Sequence, residues 1–212
     1  MALPSEKLIT INDRGARAAT TFGSLSAGGG NMVFIKKLTA SADANLTFVD
    51  GASSVVLDST YKEYLFTFNN IHPATDDSKL LVNFRDGGTD YDATKTTTFF
   101  RAQHSEGGAN GNLSYRTDDD LAQSTAAQPL TMDIGNANDE SASGEMILYN
   151  PSSTTFVKHF IANANCVYSG DYSMQSFVAG YCNVTAAIDA VQFTMEGGTN
   201  IDSGDICLYG IL

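Results

Sequence analysis

Residues 59–76 read "STYKEYLFTFNNIHPATD". In an extended chain successive side chains point to opposite faces, so Tyr64, Phe66 and Phe68 line one side and Leu65, Thr67 and Asn69 the other. Three aromatic residues on one parity, followed by a polar turn that contains Pro73, describe a β-strand with at least one buried face. What the opposite face meets is the question that the rest of the chain must answer.

The pattern continues on both sides of this stretch. In "KLLVNFR" Leu80, Val82 and Phe84 form an inward set, while Lys79, Asn83 and Arg85 point outward. The runs "MVFIKKLT", "NLTFV", "SVVL", "TTTFFRAQH", "EMILY", "TFVKHFIA", "SFVAGY", "AVQFTM" and "DICLYGIL" have the same β-branched and aromatic character. "RDGGTD", "SEGGANGN", "NPSST" and "MEGGTN" separate them with turn residues. "EMILYNPSSTTFVKHFIA" predicts a hairpin turning at Asn150–Thr154, and "DDDLAQSTAAQ" is the one place where a short helix fits. The reading is all-β, with roughly eleven or twelve short strands; a single sheet of that size would split or curl. An antiparallel two-sheet β-sandwich, jelly-roll-like, solves this. Tyr64, Phe66, Phe68, Phe84, Phe100, Phe156, Phe160, Phe177 and Phe193 are its expected core.

Residues 1–30 differ. They are small and polar, with spaced apolar residues Leu3, Leu8, Ile9, Ile11 and Phe22, and end in "SLSAGGGN". They lack the apolar surface to fold alone, and read as a flexible N-terminal attachment arm that docks on a partner. Gly28, Gly29 and Gly30 are its candidate hinge, and the sandwich domain spans 31–212.

Composition excludes several classes. The 212 residues include 12 basic and 24 acidic ones, for a net charge of -12. That argues against nucleic acid and anionic membranes as partners. "MALPSEKLIT" has no secretory pattern, and no apolar run approaches a membrane span, so membrane insertion is not expected. Without secretion, the sequons at Asn45, Asn112 and Asn183 are chance matches. Cys166, Cys182 and Cys207 read as reduced apolar fillers of a protein made in a cytosol.

Catalytic signals are absent from the sequence. His72, His104 and His159 stand in no local nucleophile motif, and there is no G-x-S-x-G elbow. No zinc pattern occurs, "DDD" at 118–120 and "TDD" at 75–77 do not match a calcium loop, and "AGGGN" has no phosphate-loop lysine. The expectation is no enzyme, no cofactor and no metal. For glycan or receptor contact, the candidates are Tyr168, Asp171 and Tyr172 in "VYSGDYSMQS", then Asp90 and Tyr91 in "GGTDYDATK". The alternative role for these tyrosines is to cap strand ends at the rim.

The stretch "STYKEYLFTFNNIHPATDDSKLLVNFRDGGTDYDATKTTTFFRA" combines a Tyr-rich strand, an "N-[IL]-x-P-A-T" turn, a second strand and a Gly/Asp turn. It resembles a module of β-rich structural and fibre proteins of tailed bacteriophages, especially marine ones. The resemblance runs over roughly 55–212, through "DLAQSTAAQPL" and "SFVAGYCN" to "GDICLYGIL". It implies a non-enzymatic virion surface protein: a capsid decoration, head fibre or tail fibre component on the particle exterior, assembled in the bacterial host cytoplasm. Its implied partners are other virion proteins, reached through the arm, and further copies of itself, with a trimer favoured. The alternative is a carbohydrate- or receptor-binding adhesion module for host surface glycan. A glycan-degrading enzyme is the third possibility, and it lacks a recognisable carboxylate pair.

Overall fold

The computed structural model describes residues 31–212. The expected arm and the Gly28–Gly30 hinge lie outside the described residues. The domain is all-β. Its strands are β1 (Met32–Asp43), β2 (Leu46–Val49), β3 (Glu63–Pro73), β4 (Leu80–Arg85), β5 (Lys95–Ser105) and β6 (Gly111–Tyr115). β7 (Gln128–Pro129), β8 (Ala142–Tyr149), β9 (Lys158–Tyr168), β10 (Tyr172–Cys182), β11 (Ala190–Met195) and β12 (Ile201–Ile211) follow. They form an eight-stranded sheet, β1-β12-β3-β8-β9-β10-β5-β6, and a four-stranded sheet, β2-β11-β4-β7. Every pairing is antiparallel. From β1 to β5 the chain changes sheet at every connection, which ties the two layers of the sandwich together. Among the described residues no helix is long and apolar enough to cross a membrane.

The core forms where the two inner faces meet. Tyr64, Phe66 and Phe68 are buried on β3, and Leu80, Val82 and Phe84 on β4, as their parities require. Phe193 of the small sheet lies 5.5 Å from Phe66 and 5.4 Å from Phe68, ring centre to ring centre. Phe48 meets Phe66 edge-on at 5.4 Å, and Phe84 meets Phe160 at 5.1 Å. Tilted and edge-on pairs at these separations add to the burial term, since ring quadrupoles favour them. The Tyr64 hydroxyl, carried into this layer, donates to the Asp58 carbonyl at 2.8 Å.

Three expected core residues are elsewhere. Phe100 and Phe177 are on the outer face of the large sheet, because Phe99 and Val178 take the inward positions next to them. In "TTTFF" either phenylalanine satisfies a period of two, and only tertiary packing selects the register. Phe156 is 68% exposed in the β8–β9 connection. That hairpin forms, but its loop runs on to Val157, past the expected turn. "SVVL" is not a strand: Val55 and Leu57 are buried from a looped segment, where the Leu57 amide donates to the Asp50 carboxylate. The "DDDLAQSTAAQ" segment is not a helix. β6 and the two-residue β7 were not expected as strands. Pro129 in β7 is at a sheet edge, where a missing amide donor is tolerated.

Cys166, Cys182 and Cys207 are each buried and unbridged. Burial pushes the Cys166 and Cys182 thiols up to about 12. Cys182 is paired in register with Lys95 on one side and Lys158 on the other, and both lysines are fully buried. Among the described residues neither meets a carboxylate. Lys95 Nζ donates to Asn83 Oδ1 at 2.5 Å and to the Ala93 carbonyl at 2.7 Å; Lys158 Nζ donates to the carbonyls of Phe156 and Val184.

Candidate functional site

The loop candidates fall into separate places. Tyr168 and Tyr172 flank the β9–β10 turn, their rings 6.2 Å apart, half-buried and packed against the core. Asp171 occupies the left-handed region (φ 61°) in that turn, and its amide donates back to the Tyr168 carbonyl. This is a three-residue hairpin loop closed by a left-handed residue. Asp90 is exposed before β5, beside Tyr91, whose ring lies 5.9 Å from the Arg85 guanidinium carbon. Tyr172 pairs with Ser105 at the far end of the eleven-residue β5. Roughly 30 Å of strand separates the two loops, so they do not form one site. Tyr168 and Tyr172 stand at the facing ends of β9 and β10, packed against the core.

The acidic turns are occupied by structural bonds. Asp119 is buried between Lys79 Nζ (2.8 Å) and Arg116 Nε (3.0 Å). Partial burial of Lys79 works against its charge, but the hydrogen bond and negative charge of Asp119 raise its pKa overall. Asp76 accepts from the Asn136 amide and Asp77 from the Ser169 hydroxyl. Among the described residues, no three His, Cys, Asp or Glu side chains converge as they would around a metal ion. His72, His104 and His159 are dispersed over β3, β5 and β9.

The feature that stands out is the outer face of the eight-stranded sheet. Strand pairing puts Phe34, Tyr209, Leu65, Ile147, Ile161 and Ala179 in one continuous cross-strand row, from β1 through β12, β3, β8 and β9 to β10. Phe34 is 58% exposed and Ile161 51%. One step away, on the His159 side, an apolar depression of about 400 Å³ opens above Ala179, walled by Ile161, Tyr181 and His159. The corresponding outward row of the small sheet is Thr47, Gln192 and Asn83, all polar. Alternation normally gives a solvated outer face, so the polar row is the ordinary case and the apolar one needs a cause.

On the other side of the row the face becomes polar. A second depression, about 410 Å³, is lined by Thr67, Asn69, Ser143, Glu145, Asn163, Asn165 and Gln175. It opens where β3 bulges away from β8: the register shifts between Phe68 and Ile71, and Asn70 adopts φ 51°. Such bulges bend a strand and re-aim its side chains. Gln175 Nε2 donates to Asn163 Oδ1, and Asn165 Nδ2 to the Ser173 hydroxyl, both at 2.9 Å. Beside Asn163 in register come Phe177, Phe100 and Tyr115. Phe177 and Phe100 are stacked, 4.7 Å apart and 12° from parallel.

Sequence reasoning missed this face although its signal was present. "EMILY", "TTTFF" and "HFIA" carry large apolar residues at consecutive positions, hence on both parities. A strand with one solvated face does not need the second set.

The chain matches no protein-family model and no curated protein.

Proposed function

We propose that the chain is a non-enzymatic virion surface protein of a bacteriophage, a capsid decoration or a head or tail fibre component. It displays its β-sandwich on the particle exterior, with residues 1–30 as the attachment element. What carries the reading is the kind of site the domain offers. Its dominant surface feature is a broad sheet face, built for contact, and its titratable groups are dispersed or consumed in structural bonds. The phage-module likeness over 55–212 supplies the setting, and the net charge of -12 suits a projecting component that must stay soluble. The test is location. Antibody against the full chain, applied to intact particles from an infected culture, should label a defined head or tail position. Particles without the chain, or label only on disrupted particles, would sink the proposal.

A second reading, host glycan binding, is favoured by the polar depression. Neutral amides beside aromatic rings suit sugar hydroxyls and C–H faces. Asn163 and Gln175 would supply the hydrogen bonds and Phe177 the apolar wall. On an array of bacterial surface glycans the full chain should retain neutral sugars, and Asn163→Ala with Gln175→Ala should lower that retention by roughly tenfold or more, the loss of one or two buried hydrogen bonds. Binding that survives both substitutions would move the site elsewhere.

A further inference from the structure

Among the described residues nothing covers the apolar row on the outer face of the large sheet. We infer that its partner is another copy of this chain, and that this face is the self-association surface of the protein.

Charge argues for this occupant. Each chain carries 24 acidic and 12 basic residues, so two copies repel over most of their surfaces. Yet Phe34, Tyr209, Leu65, Ile147, Ile161 and Ala179, taken in order across the sheet, include no charged side chain. Loss of charge at the centre is what separates an interface core from ordinary protein surface. The flanking row, Lys37, Cys207, Thr67, Glu145 and Asn163, carries one charge of each sign, and Lys37 pairs with Asp205 at 3.2 Å.

Size argues the same way. Eight strands about 4.8 Å apart, with lengths of about ten residues, give a face of the order of 1,000 Å². A specific interface takes about 800 Å² from each partner. The layout also fits, with an apolar centre and the amide depression towards one margin, where a polar rim stays wet. On the small sheet the corresponding row is polar: Thr47, Gln192 and Asn83. This inference does not depend on where the chain resides, and it survives if no virion contains it.

Sedimentation equilibrium on the full chain tests it. Wild type should sediment as a closed oligomer. Ile161→Glu combined with Phe34→Asp places charge in the middle of the sheet and at its β1 end, and should weaken association by roughly 100-fold or more. Thr47→Glu, on the small sheet, should leave the mass unchanged. Far-UV circular dichroism checks that the variants fold; both altered positions are exposed in the single chain. If the charged variant does not fold, the thiol introduced by Ile161→Cys replaces it as the probe. A short bifunctional maleimide should then join chains through position 161, because the native thiols are buried. A monomeric wild type, or an oligomer unmoved by the charged pair and not cross-linked at 161, would overturn the inference.

Discussion

Phe66→Ala is expected to lower the stability of the domain by about 3–5 kcal/mol, the cost of removing a fully buried aromatic ring and leaving its cavity. Phe66 is completely buried and joins the two sheets through Phe48 and Phe193. For a chain of this length the loss corresponds to roughly 6–20 °C in Tm. Phe100→Ala is the comparison. Its ring is 40% exposed on the outer face, so in the isolated domain it should cost well under half as much. Urea unfolding of both variants decides the matter. Equal effects, or an unchanged midpoint for Phe66→Ala, would mean that the register of β3 is wrong.

The second large effect is a pH dependence centred on Lys95. Burial lowers its pKa from 10.5 to about 8, and among the described residues its partners are the neutral Asn83 side chain and the Ala93 carbonyl. Below about pH 8 the lysine is protonated in both folded and unfolded chains, and the folded state bears the full cost of burying the charge. Between the folded and unfolded values the folded chain has released its proton while the unfolded chain holds it. Stability attributable to this group therefore rises with pH through that window. Lys95→Met removes the cost at neutral pH and makes no such difference at high pH. Its advantage over wild type should shrink by roughly 3 kcal/mol between about pH 7 and about pH 11, at 1.36 kcal/mol for each pKa unit. The comparison with wild type is essential. Cys166 and Cys182, pushed up to about 12, stay protonated when folded but ionise when unfolded above their ordinary value of 9.0, which lowers stability in both proteins. A difference between the two proteins that does not change with pH would show that Lys95 is not buried as a cation.

Much of the fold was readable because local signals agreed. The parities of Tyr64/Phe66/Phe68 and Leu80/Val82/Phe84 each have one apolar and one mixed set, so their inward faces were unambiguous. Gly- and Asn-rich turns fixed most boundaries. Reading failed where a strand is apolar on both sides. In "TTTFFRAQH" the choice between Phe99 and Phe100 rests on packing against the other sheet, which no local pattern contains. The candidate site was hidden for a related reason. Leu65 was correctly placed on the outward side of β3, but its neighbours Ile147 and Tyr209 lie far away in sequence and meet it only through strand order. Tyr168, Asp171 and Tyr172 are legible as an aromatic loop, and the half-burial of both rings and the left-handed turn at Asp171 depend on the hairpin they close.

The position of β12 has a consequence for synthesis. Among the described strands β12 is last in chain order, yet it lies between β1 and β3, the first and third, and pairs with both. While the chain is still being translated, β3 lacks one neighbour and β1 has none in its sheet. Closure waits until Ile201–Ile211 has left the ribosome, and pairings so distant in sequence form slowly. A nascent chain therefore displays the unpaired edge of β3, with its aromatic residues, for most of its time on the ribosome, and is open to chaperones or to strand exchange with a neighbour on the same message. A copy cut short before residue 201 cannot complete the large sheet at all, because β1 and β3 then lack the neighbour they share.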